Sequence, residues 1–187
     1  MNDTSDRFYV ITGGPGSGKT ALLEVLRLRG YRCSVEAGRG IIADQVSIDG
    51  PALPWRDPQL FAELMLSWEL RSYQLMEQDE GPAFFDRGVP DVVGYLRLMN
   101  IPVPEHMRRA SAKFRYNRTV FIAPPWREIF RQDRERKQDF EEAVRTYEAV
   151  SATYAGLGYE LVEIPRLSTE DRALFVLDRL HHNGRQP

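Results

Sequence analysis

A glycine-rich octapeptide near the amino terminus carries the strongest chemical signal in the sequence. Residues 13–20 read Gly-Gly-Pro-Gly-Ser-Gly-Lys-Thr, which matches the G-x-x-x-x-G-K-[ST] pattern of a phosphate-binding loop. Glycines let successive backbone N–H groups turn inward around an anion, and the helix that follows adds positive potential. We expect Lys19 to reach the β- and γ-phosphates of a nucleoside triphosphate, and the Thr20 hydroxyl to bind Mg²⁺. The predicted nucleotide-binding residues are Gly13, Gly14, Pro15, Gly16, Ser17, Gly18, Lys19, Thr20 and Ala21.

The same segment also fits a second pattern, that of a dinucleotide-binding fold. Gly16-x-Gly18-x-x-Ala21 matches its glycine fingerprint, and Glu36 follows twenty residues after Gly16, where a ribose-binding acid would lie. This interpretation leaves the lysine and the threonine of the loop without a role, and it predicts no acid on the third strand. A tight strand-to-helix turn without a ligand is the structural alternative. The sequence favours a triphosphate-binding loop over both.

An aspartate lies at the end of a short apolar run. Asp86 follows Ala-Phe-Phe at 83–85, a pattern that indicates a buried strand ending in an acid. In a parallel sheet the carboxyl ends of the strands face the ligand crevice, so Asp86 is predicted to hold Mg²⁺ together with Thr20. The neighbouring Arg87 either pairs with this acid or binds a substrate or transferring phosphate.

A glutamate follows the second predicted strand and reaches the same edge of the sheet. Glu36 could accept a proton from a substrate hydroxyl as a general base, or bind a ribose hydroxyl. Arg39, three residues further on, either pairs with Glu36 or positions the substrate, and the sequence does not separate these roles.

Three arginines in the second half of the chain share a helical spacing. Arg127, Arg131 and Arg134 fall at i, i+4 and i+7, so a helix would align them on one face. Such a helix could close over the triphosphate and stabilise the transferring phosphoryl group. The alternative is a solvated helix with local ion pairs.

Strand-like and helix-like segments alternate along the whole chain, which predicts an α/β fold with a parallel sheet covered on both faces. The expected strands cover 8–12, 31–35, 83–85, 119–123 and 159–164. The expected helices cover 19–29, 58–80, 90–99, 104–114 and, in one or two pieces, 126–157, with a last helix opening at 168–171. We therefore expect a single P-loop domain over residues 1–187, a three-layer α/β/α sandwich with a five-stranded parallel sheet.

The composition limits the setting and the partners. The 187 residues include 25 basic and 27 acidic side chains, a net charge of −2 that does not favour nucleic acid or an anionic membrane. The single cysteine, Cys33, cannot form an internal disulfide, and no apolar run is long enough to span a bilayer. These features predict a cytoplasmic protein with a small-molecule ligand, and leave a protein partner open.

Taken together, these motifs resemble the P-loop kinases of the nucleoside and nucleotide kinase group. Nearly the whole chain is similar to the AAA-like predicted bacterial ATPase domains, which are in turn similar to bacterial nicotinamide riboside kinase domains. Residues 36–39 (Glu-Ala-Gly-Arg) resemble a Glu-x-Gly-Arg motif of those riboside kinase domains, and residues 86–88 (Asp-Arg-Gly) resemble the Asp/Glu-Arg-Ser motif of deoxynucleoside kinases. The resemblance implies a five-stranded parallel sheet, ATP with Mg²⁺, and a lid segment at 127–137.

Two functions from different classes fit these motifs. The first is a kinase that moves the γ-phosphate of ATP to a nucleoside- or nucleotide-like small molecule. The second is an ATPase or nucleotide-dependent switch that acts through a protein partner. The segment 48–57, which contains Trp55, would be a substrate lid in the first case and a partner site in the second. For the kinase, the predicted catalytic residues are Lys19, Glu36, Asp86, Arg87, Arg127 and Arg131.

Overall fold

A parallel sheet forms the centre of the fold. The computed structural model describes residues 4–130 and 139–183. Over these residues five strands pair in parallel in the order β2-β3-β1-β4-β5. The strands are β1 (Phe8–Gly13), β2 (Arg32–Cys33), β3 (Ala83–Asp86), β4 (Thr119–Ala123) and β5 (Glu160–Glu163). The helices are α1 (Lys19–Leu28), α2 (Ala37–Ser47), α3 (Pro58–Glu77), α4 (Val89–Leu98), α5 (Glu105–Lys113), α6 (Phe140–Gly156) and α7 (Thr169–Asn183), with a 3₁₀ turn at Thr4–Arg7.

The apolar strands are buried from both sides, and this produces three layers. Alternate residues of a strand point to opposite faces, so Phe8 and Val10 of β1 enter one core while Tyr9 and Ile11 enter the other. Helices α3, α4, α5 and α6 cover the first core, and α1 and α7 cover the second. The predicted α/β/α sandwich with a five-stranded parallel sheet is therefore confirmed.

The strand order decides between the two interpretations of the glycine-rich loop. A dinucleotide-binding fold pairs its second strand with its first, which brings the ribose-binding acid to the ligand. Here β3 lies between β1 and β2, and Asp86 of β3 is in register with Ile11 of β1. The dinucleotide interpretation is therefore wrong, and Asp86 lies beside the strand that leads into the loop.

The prediction of helix over 126–157, in one or two pieces, is wrong at residues 126–130 and confirmed from Phe140 to Gly156. Residues 126–130 form a single turn, closed by a hydrogen bond of 3.0 Å from the Phe130 N–H to the Trp126 carbonyl. The Arg127 guanidinium lies 4.1 Å from the centre of the Phe140 ring, and the Phe130 ring packs edge-on against that ring at 5.5 Å. Both contacts hold this turn against the start of α6.

Helix α6 has its own start signal. Asp139 precedes it, and the Asp139 carboxylate accepts a hydrogen bond of 2.7 Å from the Glu142 N–H, as an N-cap residue does. Arg127 is not on a helix, and Arg131 and Arg134 lie outside the described residues, so the predicted common helical face is not observed.

Helix α2 is the element that the sequence pattern did not predict. The strand expected over 31–35 is only Arg32–Cys33, and Glu36 is the N-cap of α2 instead of the end of a strand. Two glycines weaken the intrinsic helical preference of α2, but one of them has a packing role. A Cβ at Gly40 would lie 2.6 Å from the Trp68 ring of α3, so the glycine lets the two helices approach.

None of the helices in the described part of the chain combines the length and the apolar character that crossing a bilayer requires.

Candidate functional site

The glycine-rich loop joins β1 to α1 and has the backbone of an anion-binding turn. Gly16 and Gly18 have φ values of 70° and 78°, a left-handed conformation that glycine adopts without strain. A Cβ at Gly16 would also lie 2.5 Å from the Phe130 ring. The Ser17 hydroxyl donates a hydrogen bond of 2.8 Å to the Gly14 carbonyl, which closes the loop on itself.

The predicted phosphate-binding lysine lies inside this loop. Lys19 is only 5% exposed, and its Nζ donates to the carbonyls of Gly13 and Gly14 at 3.1 and 2.7 Å and to the Ser17 hydroxyl at 3.2 Å. The ammonium group is thus held where the loop would surround an anion. Thr20 follows it in the first turn of α1 and is exposed, so that its side chain is accessible to a ligand.

The predicted metal-binding aspartate closes β3 beside this loop. Asp86 is 4% exposed, and its backbone N–H donates to the Ser34 hydroxyl at 2.9 Å. Within the described residues, its Oδ1 has no hydrogen-bond partner. Burial raises the pKa of Asp86, while the positive charges of Lys19 and Arg87 oppose the rise. A buried carboxylate oxygen without a partner suits Mg²⁺, which prefers oxygen ligands, so the residues present fit this ion.

Glu36 and the predicted arginines form an ion-pair network. The Arg87 Nε lies 3.5 Å from Glu36 Oε1, and its Nη1 lies 3.2 Å from Asp91 Oδ1. The Arg39 Nε lies 3.1 Å from Glu36 Oε2. Arg87 was predicted either to pair with Asp86 or to bind a substrate or transferring phosphate; its ion pairs are instead with Glu36 and Asp91. Arg39 was predicted either to pair with Glu36 or to position the substrate, and the structure shows the pair with Glu36.

Asp91 organises this network, and the sequence analysis missed it. Its carboxylate accepts hydrogen bonds from the Thr12 hydroxyl, from the Tyr154 hydroxyl at 2.6 Å and from the Gly88 N–H at 2.9 Å. Because β1, α6 and the start of α4 all donate to it, Asp91 fixes Arg87 against the sheet. Its position in the first turn of a predicted helix was the available signal.

Tyr116 explains the glycine in the Asp-Arg-Gly motif. A Cβ at Gly88 would lie 2.9 to 3.0 Å from the Tyr116 side chain. The Tyr116 hydroxyl accepts a hydrogen bond of 3.2 Å from the Val89 N–H at the start of α4. The tyrosine thus occupies the space that a serine side chain would need.

Arg172 of α7 is a second residue that the sequence analysis missed. It is 3% exposed, and its Nη2 and Nη1 donate to the carbonyls of Ser17 and Gly18 at 3.0 and 3.4 Å. Burial lowers the pKa of Arg172. An arginine next to the buried Ala173 and one turn before the buried Val176 was the available signal. This side chain fixes the glycine-rich loop from the carboxyl-terminal end of the chain.

The segment after β4 is connected to the loop through one aromatic ring. Phe130 packs on both Gly16 and Phe140, and Arg127 lies on the Phe140 ring with its side chain exposed. Arg131, the other predicted catalytic residue of this segment, lies outside the described residues.

A cavity of about 840 Å³ opens beside the loop. The loop contributes Pro15 to its wall, and the motif after β2 contributes Glu36. Its apolar walls come from α2, α3, α4, α6 and the segment before α3, with Val46, Trp55, Phe61, Met65, Val92 and Val150 among the residues. A cavity of this size can enclose a metabolite.

The charged groups of the cavity are mostly acids. Its described wall contains the carboxyl groups of Glu36, Glu69, Asp91 and Glu142 and the guanidinium of Arg87. Burial, together with the nearby Asp91 and Asp86, raises the pKa of Glu69 well above its ordinary value. The structure thus joins three predicted residues, Glu36, Arg87 and Pro15, to a pocket with further carboxyl groups.

The segment 48–57 forms part of the cavity rim. Trp55 is 65% exposed yet lines the cavity, as does Pro54. An ion pair of 3.1 Å between Arg56 and Asp49 folds this segment back on itself. An exposed tryptophan at the rim fits both predictions for this segment, a substrate lid and a partner site.

Comparison with solved structures gives the same fold. A NadR protein in complex with NR superposes with a TM-score of 0.72 at 18% identity, over 97% of this chain, which spans about half (53%) of that chain. A deoxyadenosine kinase from M. mycoides superposes with a TM-score of 0.60 at 13% identity, over 94% of this chain and 99% of that one. A thymidylate kinase from Ehrlichia chaffeensis gives 0.61 at 12% identity, over 92% and 97%. At these identities the likeness shows the fold alone, which is that of P-loop nucleoside and nucleotide kinases.

Comparison at the level of sequence adds the family. No curated protein matches the chain significantly. The sequence model of the AAA domain family matches residues 8–172, which run from β1 to Arg172 and include the glycine-rich loop, Asp86 and Glu36. The chain therefore belongs to the AAA domain family.

Proposed function

We propose that this protein is a Mg²⁺-dependent kinase that transfers the γ-phosphate of ATP to a nucleoside- or nucleotide-like small molecule. The observation that carries the proposal is the cavity beside the glycine-rich loop, with Glu36 and Pro15 in its wall. A switch or simple ATPase needs no second pocket against its phosphate site. The cavity therefore favours the kinase over the switch that acts through a protein partner.

On the ATP side, the residues of the loop bind and orient the triphosphate. The backbone N–H groups of residues 13–20 other than Pro15 surround the phosphates, and Lys19 turns from the loop carbonyls toward them. Thr20 and Asp86 would hold Mg²⁺, which supplies positive charge that neutralises the phosphates when it is bound. Arg172 keeps the loop in this shape by binding two of its carbonyls.

On the acceptor side, Glu36 acts as the general base. It takes the proton of the acceptor hydroxyl while that oxygen forms a bond to the γ-phosphorus. The bond between this phosphorus and the β–γ bridging oxygen breaks, and ADP leaves with the electron pair. Arg87 holds Glu36 in position, and Arg127 and Arg131 steady the transferring group.

The proposal extends to the setting of the enzyme. Residues 1–187 act as one domain, in the cytoplasm, on a small-molecule acceptor, without nucleic acid or membrane as a partner. We assign the single cysteine, Cys33, a structural and not a catalytic role, because burial raises the pKa of its thiol to about 11. At neutral pH such a thiol is almost entirely protonated and therefore a poor nucleophile.

The proposal is tested by measuring ADP formation from Mg²⁺ and ATP across a panel of nucleosides, nucleoside monophosphates and nicotinamide riboside. We expect one compound to raise the rate at least about tenfold over ATP alone, as acceptor-dependent transfer requires. The Lys19→Ala variant serves as the blank. A slow rate that no compound changes would overturn the kinase and favour the switch.

A further inference from the structure

Arg87, which contacts Glu36, has a strained backbone. Its φ is 72°, in the left-handed region that a residue with a long side chain seldom adopts. Its N–H donates to the Ile11 carbonyl of β1 at 3.1 Å, so the turn after β3 stays against the sheet. A conformation of this kind persists only where the surrounding structure fixes it. The groups that fix Arg87 therefore also decide where Glu36 lies.

Asp91 fixes Arg87 at two points. Its Oδ2 accepts a hydrogen bond of 2.9 Å from the Gly88 N–H, which holds the peptide that follows the strained residue. Its Oδ1 lies 3.2 Å from the Arg87 Nη1, which holds the far end of the side chain. One carboxylate thus restrains both the backbone and the guanidinium of Arg87. The Nε of that guanidinium lies 3.5 Å from Glu36 Oε1, so the restraint extends to the proposed base.

Asp91 is in turn anchored to two other elements. Its Oδ1 accepts a hydrogen bond from the hydroxyl of Thr12, the β1 residue immediately before Gly13 of the glycine-rich loop. Its Oδ2 accepts a hydrogen bond of 2.6 Å from the hydroxyl of Tyr154 on α6. Both donor residues are fully buried. Burial and the negative charge of Asp91 raise the pKa of Tyr154 well above its ordinary value, which keeps this hydroxyl protonated as a donor.

The carboxylate of Asp91 is saturated by the protein itself. An ionised carboxylate offers about four lone-pair positions for hydrogen bonds. Thr12 and Arg87 occupy those of Oδ1, and both come from outside the cavity-facing helices. Gly88 and Tyr154 occupy those of Oδ2. Although Asp91 lines the cavity, it therefore acts through its neighbours and not by contact with the acceptor.

We propose that Asp91 is a positioning residue that aligns the general base Glu36 with the phosphate-binding loop. The connection to the base runs through Arg87, and the connection to the loop runs through Thr12. Tyr154 holds the carboxylate between them. Transfer needs the acceptor oxygen, its base and the γ-phosphorus in fixed relative positions, so a small displacement of the base slows the reaction without weakening the binding of either substrate. This inference rests on the proposed kinase function and on Glu36 as its base.

A double-mutant cycle on kcat tests the inference, with the compound of the acceptor panel that most stimulates ADP formation. Asp91→Asn keeps the shape of the side chain but lacks the charge that Arg87 binds, and Glu36→Gln removes the base. We expect kcat to fall about 30-fold in Asp91→Asn and about 100-fold in Glu36→Gln. The double variant should be within about threefold of Glu36→Gln, because Asp91 acts through the base that is already absent. KM for ATP and for the acceptor should stay within about twofold in Asp91→Asn.

The outcomes separate positioning from a merely structural role. Losses that multiply to about 3,000-fold in the double variant would overturn the inference and leave the kinase intact. The original kcat in Asp91→Asn, or a loss expressed only as a higher KM, would overturn it as well. If no compound of the panel stimulates ADP formation by the unaltered protein, the kinase and the inference are both overturned.

Tyr154→Phe is the milder second variant and decides the matter if Asp91→Asn does not fold. It removes one hydroxyl and keeps the ring, so we expect kcat to fall about fivefold with both KM values unchanged. This loss should disappear in the Glu36→Gln background. Tyr147→Phe on the same helix is the matched control, because its hydroxyl donates to Glu163 at 2.8 Å on the exposed side of the fold. Equal kcat in the two tyrosine variants would overturn the anchoring of Asp91 by α6.

Discussion

The glycine-rich loop and the cavity proposed to bind the acceptor meet at Pro15, but they are stabilised in different ways. The loop is held mainly by its own residues, since the Lys19 and Ser17 side chains bind loop carbonyls, and Arg172 of α7 adds two further hydrogen bonds. The cavity is assembled from six separate segments, and its ion pairs join residues from two of them, 36–46 and 87–99. A change in the loop should therefore affect every acceptor alike, whereas a change in the cavity should alter the choice of acceptor.

The largest expected effect comes from the loop itself. Lys19→Ala removes the ammonium group that would contact the β- and γ-phosphates, so we expect kcat to fall about 1,000-fold with every acceptor. ADP formation at saturating ATP measures this. Lys113→Ala, on the exposed end of α5, is the control that should keep full activity. A Lys19 variant with more than a tenth of the original kcat would contradict the role of the loop.

Glu36→Gln tests the junction of the two regions. The amide cannot accept the proton of the acceptor hydroxyl, so kcat should fall about 100-fold, with KM for ATP unchanged. Steady-state kinetics in both substrates separate these parameters. Full turnover in the folded variant would remove Glu36 from the role of general base.

Arg172→Ala tests how far the loop depends on the rest of the chain. The variant loses two charge-assisted hydrogen bonds to the loop carbonyls, so we expect KM for ATP to rise about tenfold with the acceptor preference unchanged. Arg179→Ala, an exposed residue of the same helix, is the matched control. A change in acceptor preference with normal ATP binding would contradict the separation of the two regions.

The smallest expected effect is a pH dependence of stability in the cavity. Because burial raises the pKa of Glu69, the folded state binds this proton more tightly than the unfolded chain does. The protonated Glu69 therefore makes its full contribution to the free energy of unfolding at low pH. This contribution is lost as pH rises above the ordinary pKa of about 4.3, by at most about 1.4 kcal/mol per pH unit. Glu69→Gln has no such proton. The melting temperature of the variant should therefore rise relative to that of the original protein as the pH is raised from 5 to 8. Parallel curves for the two proteins would contradict the buried state of this acid.

Local signals account for the part of the site that the sequence predicted. The glycine-rich loop lies within eight consecutive residues, and Asp86 follows an apolar strand directly, so their patterns identify them without knowledge of the fold. The predicted sheet follows from the same kind of signal, since buried parallel strands are short continuous apolar runs.

The remainder of the site depends on contacts between distant segments. Asp91 and Arg172 have their roles because α6 and the glycine-rich loop lie beside them, which no spacing in the sequence reveals. The turn at residues 126–130, where a helix was predicted, likewise packs through Phe130 on the distant Phe140. Glu69 was accessible in principle, because an acid four residues after Met65 and eight after Phe61 falls on an apolar helix face.

The most direct test of the two-region account follows the phosphoryl group itself. The protein is incubated with Mg²⁺, ATP labelled with ¹⁸O in its γ-phosphoryl oxygens, and the nucleoside that most stimulates ADP formation. Mass spectrometry then locates the label. We predict that the labelled phosphoryl group appears on the nucleoside, in amounts equal to the ADP formed. Label found only in inorganic phosphate would contradict the account, because the cavity would then not deliver an acceptor to the loop.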